Sequence, residues 1–155
     1  MKLTTALASG LLATTASAAF DKWSPWGRRD YSCVNVYQGI PENATLAADA
    51  NVDIAFNRNS GRCGDLYDQY PTSEYSLWLW NNPFRGAGYV TTWDARVQVK
   101  DGIPADADSV TFSVPDDLPA VNDDTVWYLR LDTTVPDAPQ YPSLFYAMGP
   151  FKIER

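Results

Sequence analysis

Apolar and polar residues alternate along this chain in short runs separated by Gly, Pro, Asn and Asp, which is the period of half-buried β-strands. The longest such stretch runs from Tyr89 to Leu118. Tyr89, Thr91, Trp93, Ala95, Val97 and Val99 fall on one face, with Thr92, Asp94, Arg96 and Gln98 on the other. Lys100-Asp101-Gly102-Ile103-Pro104 interrupts the run with turn residues, Val110, Phe112 and Val114 resume it, and Pro115 ends it. This predicts a central antiparallel hairpin. Ser32 to Tyr37 predicts a first strand with Val34 and Val36 on one face, ended by Gly39-Ile40-Pro41. Asn51 to Asn57 places Val52, Ile54 and Phe56 inward, and Thr125 to Leu131 places Trp127, Leu129 and Leu131 inward, with Tyr128 and Arg130 outward. Phe145 to Ile153 closes the series, and its Gly149-Pro150 step requires a bulge or an edge position. Arg58 to Thr72 reads as a long loop. No segment sustains a helical apolar period, and about seven strands predict an all-β, immunoglobulin-like antiparallel sandwich.

One strand breaks the rule of a single apolar face. Between Glu74 and Trp80, Tyr75, Leu77 and Leu79 make one apolar face while Trp78 and Trp80 make the other. Such a strand is covered on both sides, here by an arm carrying Trp23 and Trp26 or by the Arg58–Thr72 loop, or it presents an aromatic patch for a ligand. A carbohydrate site on this chain would centre on Trp78 and Trp80, supported by Tyr75 or Tyr128. Alternate strand positions lie about 7 Å apart, a spacing at which two indoles can follow successive sugars.

Composition narrows the setting. The 155 residues are enough for one domain with a core, and the formal charge of −7 argues against nucleic acid or an anionic membrane as partner. Lys2, an apolar stretch from Leu3 to Thr15 and Ala16-Ser17-Ala18 read as a signal peptide over 1–19, leaving a single domain over 20–155. No membrane span or lipid anchor is expected, and the chain should be secreted. Export through an oxidising route predicts that Cys33 and Cys63, the two cysteines, form a disulfide. Asn43-Ala44-Thr45 is an N-glycosylation sequon in a polar loop.

The chain contains no histidine, which removes imidazole-based triads and histidine metal ligands. Acidic pairs at Asp106/Asp108, Asp116/Asp117 and Asp123/Asp124 lack the spacing of a calcium loop and read as solvated turn residues. We therefore expect neither catalytic residues, metal nor cofactor.

Taken in order, several segments resemble one family. They are Ala50-Asn51-Val52-Asp53-Ile54-Ala55-Phe56, then Val97-Gln98-Val99-Lys100-Asp101-Gly102-Ile103-Pro104-Ala105, then Val110 to Pro119, Trp127-Tyr128-Leu129-Arg130-Leu131, and the closing Met148-Gly149-Pro150-Phe151-Lys152-Ile153. Together they resemble the N-terminal immunoglobulin-like domain of fungal Kre/Knh-type cell-wall proteins, a family associated with β-1,6-glucan assembly. The resemblance implies a secreted fungal protein at or near the wall and brings no catalytic residues. Met148 stands where that family usually has Ser, the tryptophan arm and the cysteine pair are additions, and the family's Ser/Thr-rich tail and lipid-anchor signal are missing, which favours a small diffusible protein. The expected role is non-catalytic association with wall polysaccharide such as β-glucan, or with wall organisation. The alternative is an effector-like protein that binds a host protein.

Overall fold

A computed structural model describes residues 33–58, 63–82, 93–138 and 144–155. The expected signal peptide, the Trp23/Trp26 arm, and Tyr89 and Thr91 of the long alternating stretch lie outside the described residues. Eight strands and one short helix follow in order: β1 (Asn35–Gln38), β2 (Thr45–Ala47), β3 (Asn51–Asn57), α1 (Gly64–Gln69), β4 (Tyr75–Asn81), β5 (Ala95–Ile103), β6 (Ser109–Ser113), β7 (Trp127–Asp132) and β8 (Phe145–Glu154). They form a three-stranded sheet in the order β1-β3-β6 and a five-stranded sheet in the order β2-β8-β7-β4-β5.

One apolar core lies between the sheets. Val36, Ile54, Phe56, Val110 and Phe112 contribute from the smaller sheet, and Tyr75, Leu77, Leu79, Trp127, Leu129, Leu131 and Met148 from the larger. Those on β3, β4, β6 and β7 are the inward positions that alternation assigns, because the period of two sends every second side chain across the same gap. Phe56 meets Tyr75 edge to face with ring centroids 5.0 Å apart, joining the sheets at the centre. Tyr75 is thus a core residue, 1% exposed, on the opposite face of β4 from Trp78 and Trp80, and gives them no support as a site.

Cys33 and Cys63 are bonded, with their Cα atoms 5.4 Å apart. They anchor a satellite cluster with Val135, Ala138 and Leu144, against which Leu66, Tyr67 and Tyr70 pack. The Tyr67 hydroxyl donates to the Cys33 carbonyl at 2.9 Å. Burial, and then the neighbouring Tyr75, push its pKa up to about 12 against a smaller opposing pull from Arg58. The Arg58 guanidinium donates to the Tyr75 hydroxyl and the Thr72 Oγ1 and lies over both the Tyr67 and Tyr75 rings. It ties the satellite to the main core. Part of the expected Arg58–Thr72 loop is therefore the helix α1, whose six residues are too few to show a period.

The expected central hairpin is not formed. β5 pairs with β4 and β6 pairs with β3, so these consecutive strands belong to different sheets. Within the turn predicted at Lys100–Pro104, Lys100 to Ile103 instead continue β5 through a bulge: Tyr75 opposes Ile103 while Leu77 opposes Lys100, one extra residue on β5. Gly102, at φ 62°, takes the left-handed conformation that this bulge needs. The turn comes after it, where Ala107 N–H donates to the Pro104 carbonyl, and it carries the chain across the open side of the sandwich. Lys100 then bridges the two sheet edges through a 2.8 Å hydrogen bond from Nζ to the Thr111 carbonyl.

β8 accommodates Gly149-Pro150 with a bulge inside an interior strand. Trp127 opposes Phe151 and Leu129 opposes Met148, which leaves an extra residue on β8. Gly149 has φ 137°, and a Cβ there would lie 2.7 Å from the Trp127 carbonyl oxygen. On its other side β8 pairs in parallel with β2, a three-residue strand that alternation did not reveal. The sandwich is therefore not wholly antiparallel and has eight strands among the described residues where about seven were expected.

Candidate functional site

The face of the five-stranded sheet turned away from the core is built from the even positions of β4 and their register partners. Trp78 lies opposite Gln98 and Arg130, Trp80 opposite Arg96 and Tyr128, and Ser76 opposite Asp132. On β8, Ala147 opposes Arg130 and Phe145 opposes Asp132. Directly opposed residues project to the same side, so the register gathers Trp78, Trp80, Arg96, Arg130 and Phe145 on one surface.

These side chains interleave. The Arg96 guanidinium carbon lies 3.9 Å from the Trp78 ring centroid and 4.8 Å from that of Trp80. The Arg130 guanidinium lies 5.1 Å from Trp80 and 3.9 Å from Phe145. Trp93, just before β5, meets Trp80 edge to face at 4.7 Å and 72°. A cation over an aromatic face is attracted by the ring quadrupole, so the arrangement is a self-supporting ladder of indole, guanidinium, indole, guanidinium and phenyl. Trp78 Nε1 donates to Ser76 Oγ at 2.9 Å, and Arg130 pairs with Asp132 at 2.7 Å. Burial raises the Asp132 pKa against the opposing pull of Arg130 and, at longer range, Arg96.

The two tryptophans that the sequence presents as a pair differ. Trp80 is 6% exposed, enclosed by Trp93, Arg96 and Arg130, whereas Trp78 is half-buried. Tyr128 is on the expected face but is 3% exposed, and its ring packs close to Gly149 at the β8 bulge. Trp93, at 43% exposure, Arg96 and Gln98 are exposed, and Trp78, Arg130 and Phe145 are partly so. Sequence reasoning missed Trp93, Arg96, Arg130 and Phe145. Alternation put Trp93 opposite Arg96, but Trp93 precedes the strand and is free of its period. A usable signal was the recurrence of arginine at outward positions of otherwise apolar strands, at Arg96 and Arg130.

Elsewhere the Asp123/Asp124 pair holds its turn together. Asp123 accepts from the Thr125 amide and hydroxyl, and Asp124 accepts from Arg155 and the Trp127 indole. Among the described residues no three Cys, Asp or Glu side chains gather to hold a metal ion. A cleft of about 510 Å³ opens between the edges of β5 and β6, lined by Asp53, Lys100, Ile103 and Thr111. Its polar groups bond to one another, Lys100 to the Thr111 carbonyl and the Thr111 hydroxyl to Asp53.

No protein-family model matches the chain, and no curated protein matches it. Among the described residues no helix is long and apolar enough to cross a membrane.

Proposed function

We propose that this chain is an exported, non-catalytic, immunoglobulin-like recognition module that works in the wall space of a fungus through the outer face of its five-stranded sheet. The strand order supports the immunoglobulin-like reading: three strands, β1-β3-β6, face β2-β8-β7-β4-β5, with a short early strand running parallel to the last. The fungal wall setting comes from the resemblance to Kre/Knh-type proteins.

The observation that carries a binding role is the surface formed by Trp78, Trp93, Arg96 and Gln98 over a rigid ladder. Tryptophan and arginine are the residues that dominate protein interfaces, and rings held by stacked cations lose little freedom on binding. Arg96 already occupies a face of Trp78 that a sugar ring would otherwise cover. This favours an extracellular protein as partner. The exposed ring of Trp93 favours a second reading, in which β-glucan stacks at the rim of the same face.

Binding of the purified mature chain to insoluble wall material, before and after treatment, tests both readings. Loss of capture after protease treatment of the wall supports a protein partner, and loss after glucanase treatment supports a glycan. Trp78→Ala and Arg96→Ala should each abolish capture while keeping the fold. Capture that survives both substitutions would overturn the assignment of this face. Release of reducing sugar from wall polysaccharide by the purified chain, abolished by an Asp→Asn change, would overturn the non-catalytic reading.

A further inference from the structure

Asn43-Ala44-Thr45 occupies a distinctive place in the fold. Residues Pro41 to Ala44 form a turn closed by Ala44 N–H to the Pro41 carbonyl at 3.2 Å, with Asn43 at φ 59°, a conformation asparagine tolerates. The backbone is fastened to β8 on both sides of the turn: Asn43 N–H donates to the Pro150 carbonyl, and Lys152 N–H to the Ala44 carbonyl, each at 2.8 Å. The side chains of Asn43 and Thr45 are both exposed.

Thr45 opens β2, the terminal strand of the five-stranded sheet, which has no strand on its far side among the described residues. Unpaired sheet edges invite pairing with another chain unless charge, proline, bulges or a cover prevent it. The opposite edge, β5, carries Arg96, Lys100, Asp101 and two bulges. β2 reads Thr-Leu-Ala, without charge, proline or bulge, and its three-residue length is the protection it has of its own.

We propose that Asn43 carries an N-linked glycan and that this glycan screens the β2 edge against association with a second copy of the chain. The inference rests on the export reading above. In the secretory route, Asn43 Nδ2 would form a bond to C1 of an oligosaccharide held on a lipid pyrophosphate donor. The C1–O bond breaks, the lipid pyrophosphate leaves with its electron pair, and the amide gives up one proton. Asn43 flanks an edge three strand spacings from β4, about 14 Å, so its attachment point is set apart from Trp78.

The test is secretion from a eukaryotic host behind the chain's own first 19 residues and, in parallel, behind a foreign leader. Treatment of the secreted chain with an amidase that cleaves the Asn–glycan bond should lower its mass and leave Asp at position 43. Thr45→Ala should be secreted without the glycan, and Thr45→Ser should keep it. The glycosylated chain should remain monomeric in size-exclusion chromatography with light scattering, and the enzymatically stripped chain should self-associate as concentration rises. A secreted chain with unmodified Asn43 overturns the modification. A stripped chain that stays monomeric over the same concentrations overturns the screening role. Export behind only the foreign leader counts against the export reading and leaves the readout at Asn43 intact.

Discussion

Truncating the two tryptophans of β4 one at a time should give very different results, although alternation makes them equivalent. Trp80 is 6% exposed and is held by Trp93, Arg96 and Arg130. Removing a buried indole typically costs 3–5 kcal/mol in all, and losing two cation–π contacts of about 0.5–1 kcal/mol each puts this site in the upper part of that range. We therefore expect Trp80→Ala to destabilise by about 4–5 kcal/mol. Trp78 is half-buried and, among the described residues, has one guanidinium over its ring, that of Arg96, so Trp78→Ala should cost about 1–2 kcal/mol. At roughly 3–4 °C per kcal/mol for a chain of this size, Tm should fall by about 12–20 °C for Trp80→Ala and about 3–8 °C for Trp78→Ala. Scanning calorimetry measures both, and urea unfolding with an unchanged m-value would confirm that stability is what moved. Adding Arg96→Ala to Trp78→Ala closes a double-mutant cycle whose coupling should be about 0.5–1 kcal/mol. Equal falls for the two single variants, or a fall under about 5 °C for Trp80→Ala, would refute the ladder as described.

Three further outcomes are expected. Replacing Cys33 and Cys63 together by Ser should cost about 3–4 kcal/mol on the chain-entropy account of a loop with a sequence separation of 30, read as a lower urea midpoint. Gly149→Ala should cost about 2–3 kcal/mol by the same assay, since φ 137° is strained for any L side chain and the added carbon meets the Trp127 carbonyl. Asp132 has a raised pKa in the fold, so between the ordinary carboxylate value and that raised value the folded state binds more protons than the unfolded chain. Its contribution to stability therefore grows as pH falls through this window and is lost as pH rises, and Asp132→Asn should flatten that slope in melting curves taken across the acid range.

Much of the fold was legible because a strand declares its inward face every second residue. β3 and β7 were readable from Ile54, Phe56, Leu129 and Leu131, and the Gly149-Pro150 step called for a bulge or an edge position, of which β8 has the bulge. What failed was longer in range. Asp101-Gly102 carries the chemistry of a hairpin turn and of a glycine bulge alike, and only the register with Tyr75 and Leu77 decides between them. β2 is three residues long and exists because β8 offers it a parallel edge. The candidate site was half legible for a similar reason. Alternation placed Trp78 and Trp80 on one face, but their burial depends on Trp93, Arg96 and Arg130, which arrive from other segments. Tyr75 shows the opposite error, since its own spacing puts it with Leu77 and Leu79 in the core.

The ladder divides labour between side chains that touch one another. Arg130 is pinned by Asp132 and lies over Trp80 and Phe145, and Trp80 is enclosed, so these groups hold the sheet face in shape. Trp78, Trp93, Arg96 and Gln98 retain solvent-facing surface and can meet a partner. Arg96 belongs to both sets, because its guanidinium orders Trp78 and Trp80 while its side chain remains exposed. Arg96→Lys keeps the charge but loses the planar group that stacks on an indole. It should therefore leave long-range attraction to a partner nearly unchanged and shorten the lifetime of the complex. Unchanged association and dissociation rates for Arg96→Lys, measured by surface plasmon resonance, would mean that Arg96 acts by its charge alone and that stacking on the indoles does not shape the binding surface.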